Sequence, residues 1–173
     1  MDFAVQPMWN RVQIKILFVC LGNICRSPAL EASFKKIVKD HDLSDRFFID
    51  SAAINTSFLG CEADLRMREA AKKRGVEVQT VAKLFEEDFF QKFDLIFVAT
   101  TEILDYLKDL AKNTSERKKV HLATEFSGKY LHLDIPDPYY QKEHAFDLVM
   151  DISEDACQGI FEWINKKYYP KSN

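Results

Sequence analysis

The chain is short of the features that announce a membrane, a nucleic-acid partner or a metal. No apolar run in its 173 residues approaches the roughly 18 needed to cross a bilayer. The apolar run 14–19 is too short for a signal-peptide core and is interrupted by Lys15. Charge of one sign does not accumulate. The 24 Lys and Arg stand against 27 Asp and Glu, a net charge of −3 with no basic stripe, so no nucleic-acid partner is expected. Cysteine is scarce, and Cys20, Cys25, Cys61 and Cys157 lack zinc-ligand spacing. His41, His121, His132 and His144 form no ligand cluster, so neither a metal nor another cofactor is expected. No internal repeat or low-complexity tract is present.

What remains is an ordinary globular composition, 47% hydrophobic and 29% charged, in a chain long enough for one substantial core. Residues 1–13, with Pro7 and Asn10, read as an irregular extension, and residues 14–169 as a single domain. Strands are predicted at 14–19, 47–52, 94–99 and 119–123. Helices are predicted at 28–39, 62–74, 101–112 and 143–167, the first with Leu30, Phe34, Ile37 and Val38 on one face. Strands alternating with helices give an α/β fold, an open and mainly four-stranded parallel sheet with helices on both faces. Such sheets bind ligands beyond the carboxyl ends of their strands, at a topological switch point. Cys20 lies at such an end. The connection 126–141 is long, which suits a functional loop.

The chemistry concentrates in the run from Cys20 through Leu21, Gly22, Asn23, Ile24 and Cys25 to Arg26, Ser27 and Pro28. A β-favouring stretch enters a short loop, and the loop enters a helix. Only a thiolate attacks, and unpaired N–H groups at a helix start, together with a guanidinium, favour that anion. The same N–H groups bind phosphate oxygens. Arg26 offers a planar fork for two equatorial oxygens, which Lys could not reproduce. Gly22 is expected to supply a turn with φ > 0, and Pro28 suits a first helical turn. Ser27 is expected to cap the helix and to donate to the sulfur as it leaves a phosphoenzyme. A thiol six residues before an arginine is weak evidence alone; the strand, Gly22 and the Ser-Pro pair make the context specific. Cys25 is either redox protection, trapping an oxidised Cys20 as a disulfide, or a small core filler.

The string from Val19 to Pro28 resembles the phosphate loop of the low-molecular-weight protein tyrosine phosphatases without a gap. A second likeness is Asp137-Pro138-Tyr139-Tyr140, and weaker ones are Ile49 to Ala52, Ala63 to Arg66, Glu87 to Phe89 and Phe93 to Ile96. The likeness spans about residues 14 to 167. It implies a flavodoxin-like topology and hydrolysis of phosphotyrosine or aryl phosphate monoesters through a cysteinyl-phosphate, while two cysteines in one loop, where a permanent disulfide would silence the nucleophile, argue for a reducing, cytoplasmic setting. By resemblance Cys20 is the nucleophile, Arg26 the phosphate clamp and Asp137 the general acid. Leu21, Gly22, Asn23, Ile24, Cys25 and Ser27 would form the phosphate cradle, and Ser51 would hold Asn23. Asp134 is a second choice for the acid, because it lacks the Asp-Pro-aromatic context. Tyr139 is expected to stack on a phenyl ring, with Tyr140 beside it and Phe58 as the opposing wall.

Four positions depart from the family pattern: Ser57 stands in for a pocket Trp, Thr80 for a His supporting the loop Asn, Lys83 for a nearby Arg, and Thr100 for an Asp. They bear on substrate preference and efficiency more than on reaction type. Three other readings compete. A thiol-dependent arsenate reductase would need further cysteines near the third strand. A phosphoarginine phosphatase tends to carry Thr where Ile24 stands. A catalytically weak phosphoprotein-binding module would not require Asp137.

Overall fold

A computed structural model describes residues 13–169. The expected extension, residues 1–13, lies outside the described residues except for Gln13. Four parallel strands form one sheet in the order β2-β1-β3-β4: β1 (Ile14–Cys20), β2 (Phe47–Ala53), β3 (Leu95–Val98) and β4 (Val120–Leu122). Among the described residues six α-helices accompany them: α1 (Arg26–Asp40), α2 (Leu65–Lys72), α3 (Phe89–Lys92), α4 (Thr101–Leu110), α5 (Thr114–Arg117) and α6 (His144–Tyr168).

Side-chain alternation along β1 builds the two sides of the core. Ile14, Ile16, Phe18 and Cys20 face one hydrophobic cluster with Leu30, Phe34, Met67, Ile160 and Phe161 from α1, α2 and α6. Leu17 and Val19 face the other, with Phe89, Phe90, Ile103 and Leu107 from α3 and α4. The sheet is therefore covered on both faces, and its strands read as near-continuous apolar runs. In α6 the buried positions Phe146, Val149, Met150, Ser153, Cys157, Ile160 and Ile164 recur at helical spacing.

Several boundaries differ from expectation for physical reasons. The second helix begins at Leu65 rather than 62, because the Asp64 side chain caps it by accepting from the Arg66 N–H at 2.9 Å. Glu62 is drawn instead into a bridge with Val81. Helices α3 and α5, each four residues long, carry too few turns to show a period. Residues 123–126 form a 3-10 turn and shorten β4.

The strand order places the switch between β1 and β3: the chain leaves β1 toward β2 on one side, and β3 returns on the other. The loop after β1 and the segment after β3 diverge there and leave a crevice. Ile135 is tied to this end of the sheet by its N–H donating to the Ala99 carbonyl at 2.9 Å. The Asp-Pro loop that follows is thereby held over Cys20. No helix among the described residues is long and apolar enough to cross a membrane.

Candidate active site

Cys20, 2% exposed, ends β1 at the floor of a cavity of about 220 Å³. Leu21, Gly22, Ile24, Cys25 and Arg26 line it from the loop, and Asp137, Tyr139 and Tyr140 from the opposite side. Among the described residues, the N–H groups of Leu21, Gly22, Ile24, Cys25 and Arg26 have no protein acceptor, whereas that of Asn23 points at Cys20 Sγ at 3.3 Å. Unpaired N–H donors on the loop that carries a thiol are the kind of group that binds an anion.

The loop is held by one buried asparagine. The Lys83 N–H donates to Asn23 Oδ1 at 3.1 Å, which fixes the orientation of the amide. Its Nδ2 then donates to Ser27 Oγ at 2.8 Å and to Ser51 Oγ at 2.9 Å. Ser27 Oγ already accepts from Asn23, so its own proton is free for Cys20 Sγ, 2.9 Å away. The Ser51 hydroxyl donates to Glu31 Oε2 at 2.5 Å. Glu31, 6% exposed, also accepts from Thr80 Oγ1 at 2.6 Å and from Lys35 Nζ at 2.7 Å. Three donors thus compensate one buried carboxylate.

Two expectations about the loop are corrected. The left-handed residue is Asn23, at φ 57°, not Gly22. Gly22 is needed for close approach: a Cβ there would lie 2.9 Å from Phe58 Cδ2. Ser27 does not cap α1. The helix starts at Arg26 with Cys25 as its N-cap and no side-chain cap bond, and the Ser27 hydroxyl is spent on Cys20 and Asn23.

Arg26 reaches across the crevice. Its Nη1 donates to the Ile135 carbonyl at 3.2 Å, and Nη2 stands 3.8 Å from Asp137 Oδ2. The guanidinium is buried while Asp137 is exposed, so one side of the pair stays open to solvent and to an incoming group. The rival Asp134 is committed elsewhere: its carboxylate accepts from Thr101 N at 2.8 Å and Thr101 Oγ1 at 3.1 Å, holding the start of α4. The walls are apolar, with the Phe58 and Tyr139 rings 5.3 Å apart. Tyr140, 88% exposed, meets Tyr139 edge-on and reaches the cavity only at its rim. Asn55 and Ser57 add a polar margin.

Cys25 is buried and unbridged, and burial is the main cause that pushes its thiol far above the ordinary range, with the Asp64 charge adding to it. It remains a neutral thiol beside Cys20. The departures Thr80, Lys83 and Thr100 all have structural work. Thr80 supports Glu31, Lys83 pairs with Asp50, and Thr100 caps α4 by accepting from the Ile103 N–H at 3.3 Å.

A sequence model of the family described as low molecular weight phosphotyrosine protein phosphatase matches residues 15–170. The chain belongs to this family. Among curated relatives, the low molecular weight phosphotyrosine protein phosphatase of Rattus norvegicus is 37% identical over 150 residues, covering 85% of this chain and 93% of its own. Among solved structures, a protein tyrosine phosphatase from Entamoeba histolytica with Hepes in the active site superposes with a TM-score of 0.86 at 36% identity. It covers 89% of this chain and 98% of that one. Vibrio vulnificus Wzb in complex with benzylphosphonate superposes with a TM-score of 0.75 at 30% identity, covering 89% and 99%. The flavodoxin-like sheet is thus common to this chain and its phosphatase neighbours.

Glu31, Asp64 and Arg66 were not singled out as site residues in the sequence. For Glu31 a signal existed: it lies four residues after Ser27, on the face of α1 that carries Leu30 and Phe34 into the core, where an unpaired carboxylate would be costly.

Proposed function

We propose that this protein hydrolyses phosphotyrosine and related aryl phosphate monoesters through a cysteinyl-phosphate. The observation that carries the reading is the convergence on one cavity of a thiol with a 2.9 Å hydroxyl partner, a buried guanidinium, and a carboxyl 3.8 Å from that guanidinium. Family membership and the phosphatase names of its relatives support it.

The Cys20 thiolate attacks phosphorus in line, forming an S–P bond as the P–O ester bond breaks. The Arg26 fork and the loop N–H groups take up the charge spread over the equatorial oxygens. Asp137, protonated, gives its proton to the departing phenol oxygen. Water then attacks the cysteinyl-phosphate, Asp137 accepts its proton, and the S–P bond breaks with release of inorganic phosphate. The Ser27 hydroxyl donates to the departing sulfur. Ile24, Phe58 and Tyr139 offer apolar walls suited to a phenyl ring. Phosphotyrosine-bearing proteins are the partners this chemistry fits. Two thiols in one phosphate loop suit a reducing, cytoplasmic setting, since a permanent disulfide would silence the nucleophile.

The test is hydrolysis of p-nitrophenyl phosphate at acidic to neutral pH with a chelator and a reductant present. Wild type should turn over, and Cys20→Ser should lose activity by about a thousandfold or more. Turnover undiminished in Cys20→Ser would reject the cysteine mechanism. An inactive wild type would reject aryl phosphates as substrates and favour the phosphoprotein-binding alternative.

A further inference from the structure

Asp64 and Arg66 stand outside the reacting centre but touch both of its loops. The Asp64 N–H donates to the carbonyl of Ile24, inside the phosphate loop, at 2.8 Å. The Asp64 carboxylate receives the Arg66 fork at two points, Nε to Oδ1 at 3.0 Å and Nη2 to Oδ2 at 2.8 Å. Arg66 Nη2 also donates to the carbonyl of Tyr139 at 3.0 Å. The N–H of that same Tyr139 donates to Asp137 Oδ1 at 3.1 Å. The guanidinium lies over the Tyr139 ring at 5.5 Å and over the Phe146 ring of α6 at 4.5 Å.

These contacts make a continuous strap from the loop that would hold phosphate to the carboxyl that would protonate the leaving group. The acid loop is otherwise open: Asp137 and Tyr140 are exposed. It is tied down by the Ile135 bonds to Ala99 and Arg26, the Asp134 bonds to Thr101, the 3.8 Å Arg26–Asp137 pair, the Tyr139–Phe58 ring contact, and Arg66. A bidentate Arg–carboxylate pair is geometrically specific in a way a Lys pair is not. The side-chain bond to Arg66 holds the Asp64 carboxyl below its ordinary range, which favours the charged form of the pair.

We infer that Arg66, clamped by Asp64, is a positioning residue that registers the acid loop on the phosphate loop and so places the Asp137 carboxyl for proton transfer to the leaving oxygen. This rests on the phosphatase reading above. Arg66 touches neither the proposed phosphate position nor the leaving group. Its effect runs through the Tyr139 main chain, which carries the Arg66 bond on its carbonyl and the Asp137 bond on its N–H.

The consequence is selective. Misplacing a general acid hurts esters of poor leaving groups most, because a phenol of high pKa needs the proton as the bond breaks, whereas an activated phenol leaves without it. A fault in phosphate binding or in folding would slow all esters alike. The experiment measures kcat/KM, which reports steps up to leaving-group departure. Phenyl phosphate and p-nitrophenyl phosphate are compared in wild type, Arg66→Ala, Asp137→Ala and the double variant. Arg66→Lys serves as a second variant, keeping the charge over the rings but unable to bond Asp64 twice and Tyr139 at once.

Arg66→Ala is expected to lower kcat/KM for phenyl phosphate roughly tenfold or more and for p-nitrophenyl phosphate by no more than about threefold, within the range of general-acid effects. In the Asp137→Ala background the same change should cost little further, since the group it places is gone. Arg66→Lys should show the same selectivity in weaker form. Equal losses on both esters, losses that multiply with Asp137→Ala, or no loss in either Arg66 variant would overturn the inference. The parent reading fails separately, through an inactive wild type or an active Cys20→Ser.

Discussion

Asn23 shows how much of this site depends on a residue with no direct chemistry. It is fully buried, sits at φ 57°, and uses its amide three times, accepting from the Lys83 N–H and donating to Ser27 and Ser51. Asn tolerates the left-handed region better than most residues, so one side chain serves both the loop's backbone and its polar ties. Replacing it with Ala would leave Ser27 and Ser51 each short of a donor and let the thiol shift against Arg26. Asn23→Ala is expected to cost about 2–3 kcal/mol of stability. It should also lower kcat/KM for an aryl phosphate roughly tenfold to a hundredfold, since small misplacements of reacting groups are expensive. Urea unfolding and steady-state kinetics check the two halves separately. Wild-type kinetics in the variant would mean that the loop keeps its shape without the amide.

At the scale of elements, α6 and β4 carry the clearest consequences. Gly159 in α6 passes so close to the 3-10 turn after β4 that a Cβ there would lie 1.9 Å from the Phe126 carbonyl oxygen. In an open helix Ala would be favoured over Gly by about 1 kcal/mol. Here overpacking reverses the sign, and Gly159→Ala is expected to destabilise by about 3 kcal/mol, read from chemical unfolding. A stabilised variant would refute the close approach. His121 on β4 packs among Phe97, Phe126 and Trp163, with its Nδ1 3.0 Å from Glu125. Burial holds it below its ordinary value, outweighing the Glu125 carboxylate that favours protonation, while Lys167 and Lys108 act in the same direction as burial. The folded protein therefore binds fewer protons at this site than the unfolded chain. Stability is complete above about pH 6.5 and declines as pH falls through that value, until the folded His121 is itself protonated. The unfolding midpoint should drop between about pH 7 and pH 5.5 in wild type and drop less in His121→Gln. Equal slopes would place the titrating group elsewhere.

At the scale of the whole molecule, the sequence disclosed the frame and the proposed reacting groups better than it disclosed what holds them. The apolar runs of β1 and β3 and the long period of α6 were legible because burial on both faces of a sheet, or along one stripe of a helix, writes itself into consecutive residues. Cys20, Arg26 and Ser27 were legible because they are local to one loop. The short helices α3 and α5 were not, since four residues show no period. Glu31 and Arg66 are not legible as site residues because partners that place them lie far along the chain: Thr80 for Glu31, and the Tyr139 carbonyl for Arg66. The positive φ expected at Gly22 belongs to Asn23, because sequence shows which residues tolerate that conformation and not which one adopts it. At the sheet's switch point Cys20 is the proposed nucleophile toward phosphorus. That role is tested most directly by rapid quenching of the protein during turnover of an aryl phosphate, followed by peptide mass spectrometry. The account predicts a transient phosphoryl group on the peptide carrying Cys20, absent in Cys20→Ser and lost as phosphate is released. A phosphoryl group on another residue, or turnover by wild type with no covalent adduct at any time, would contradict it.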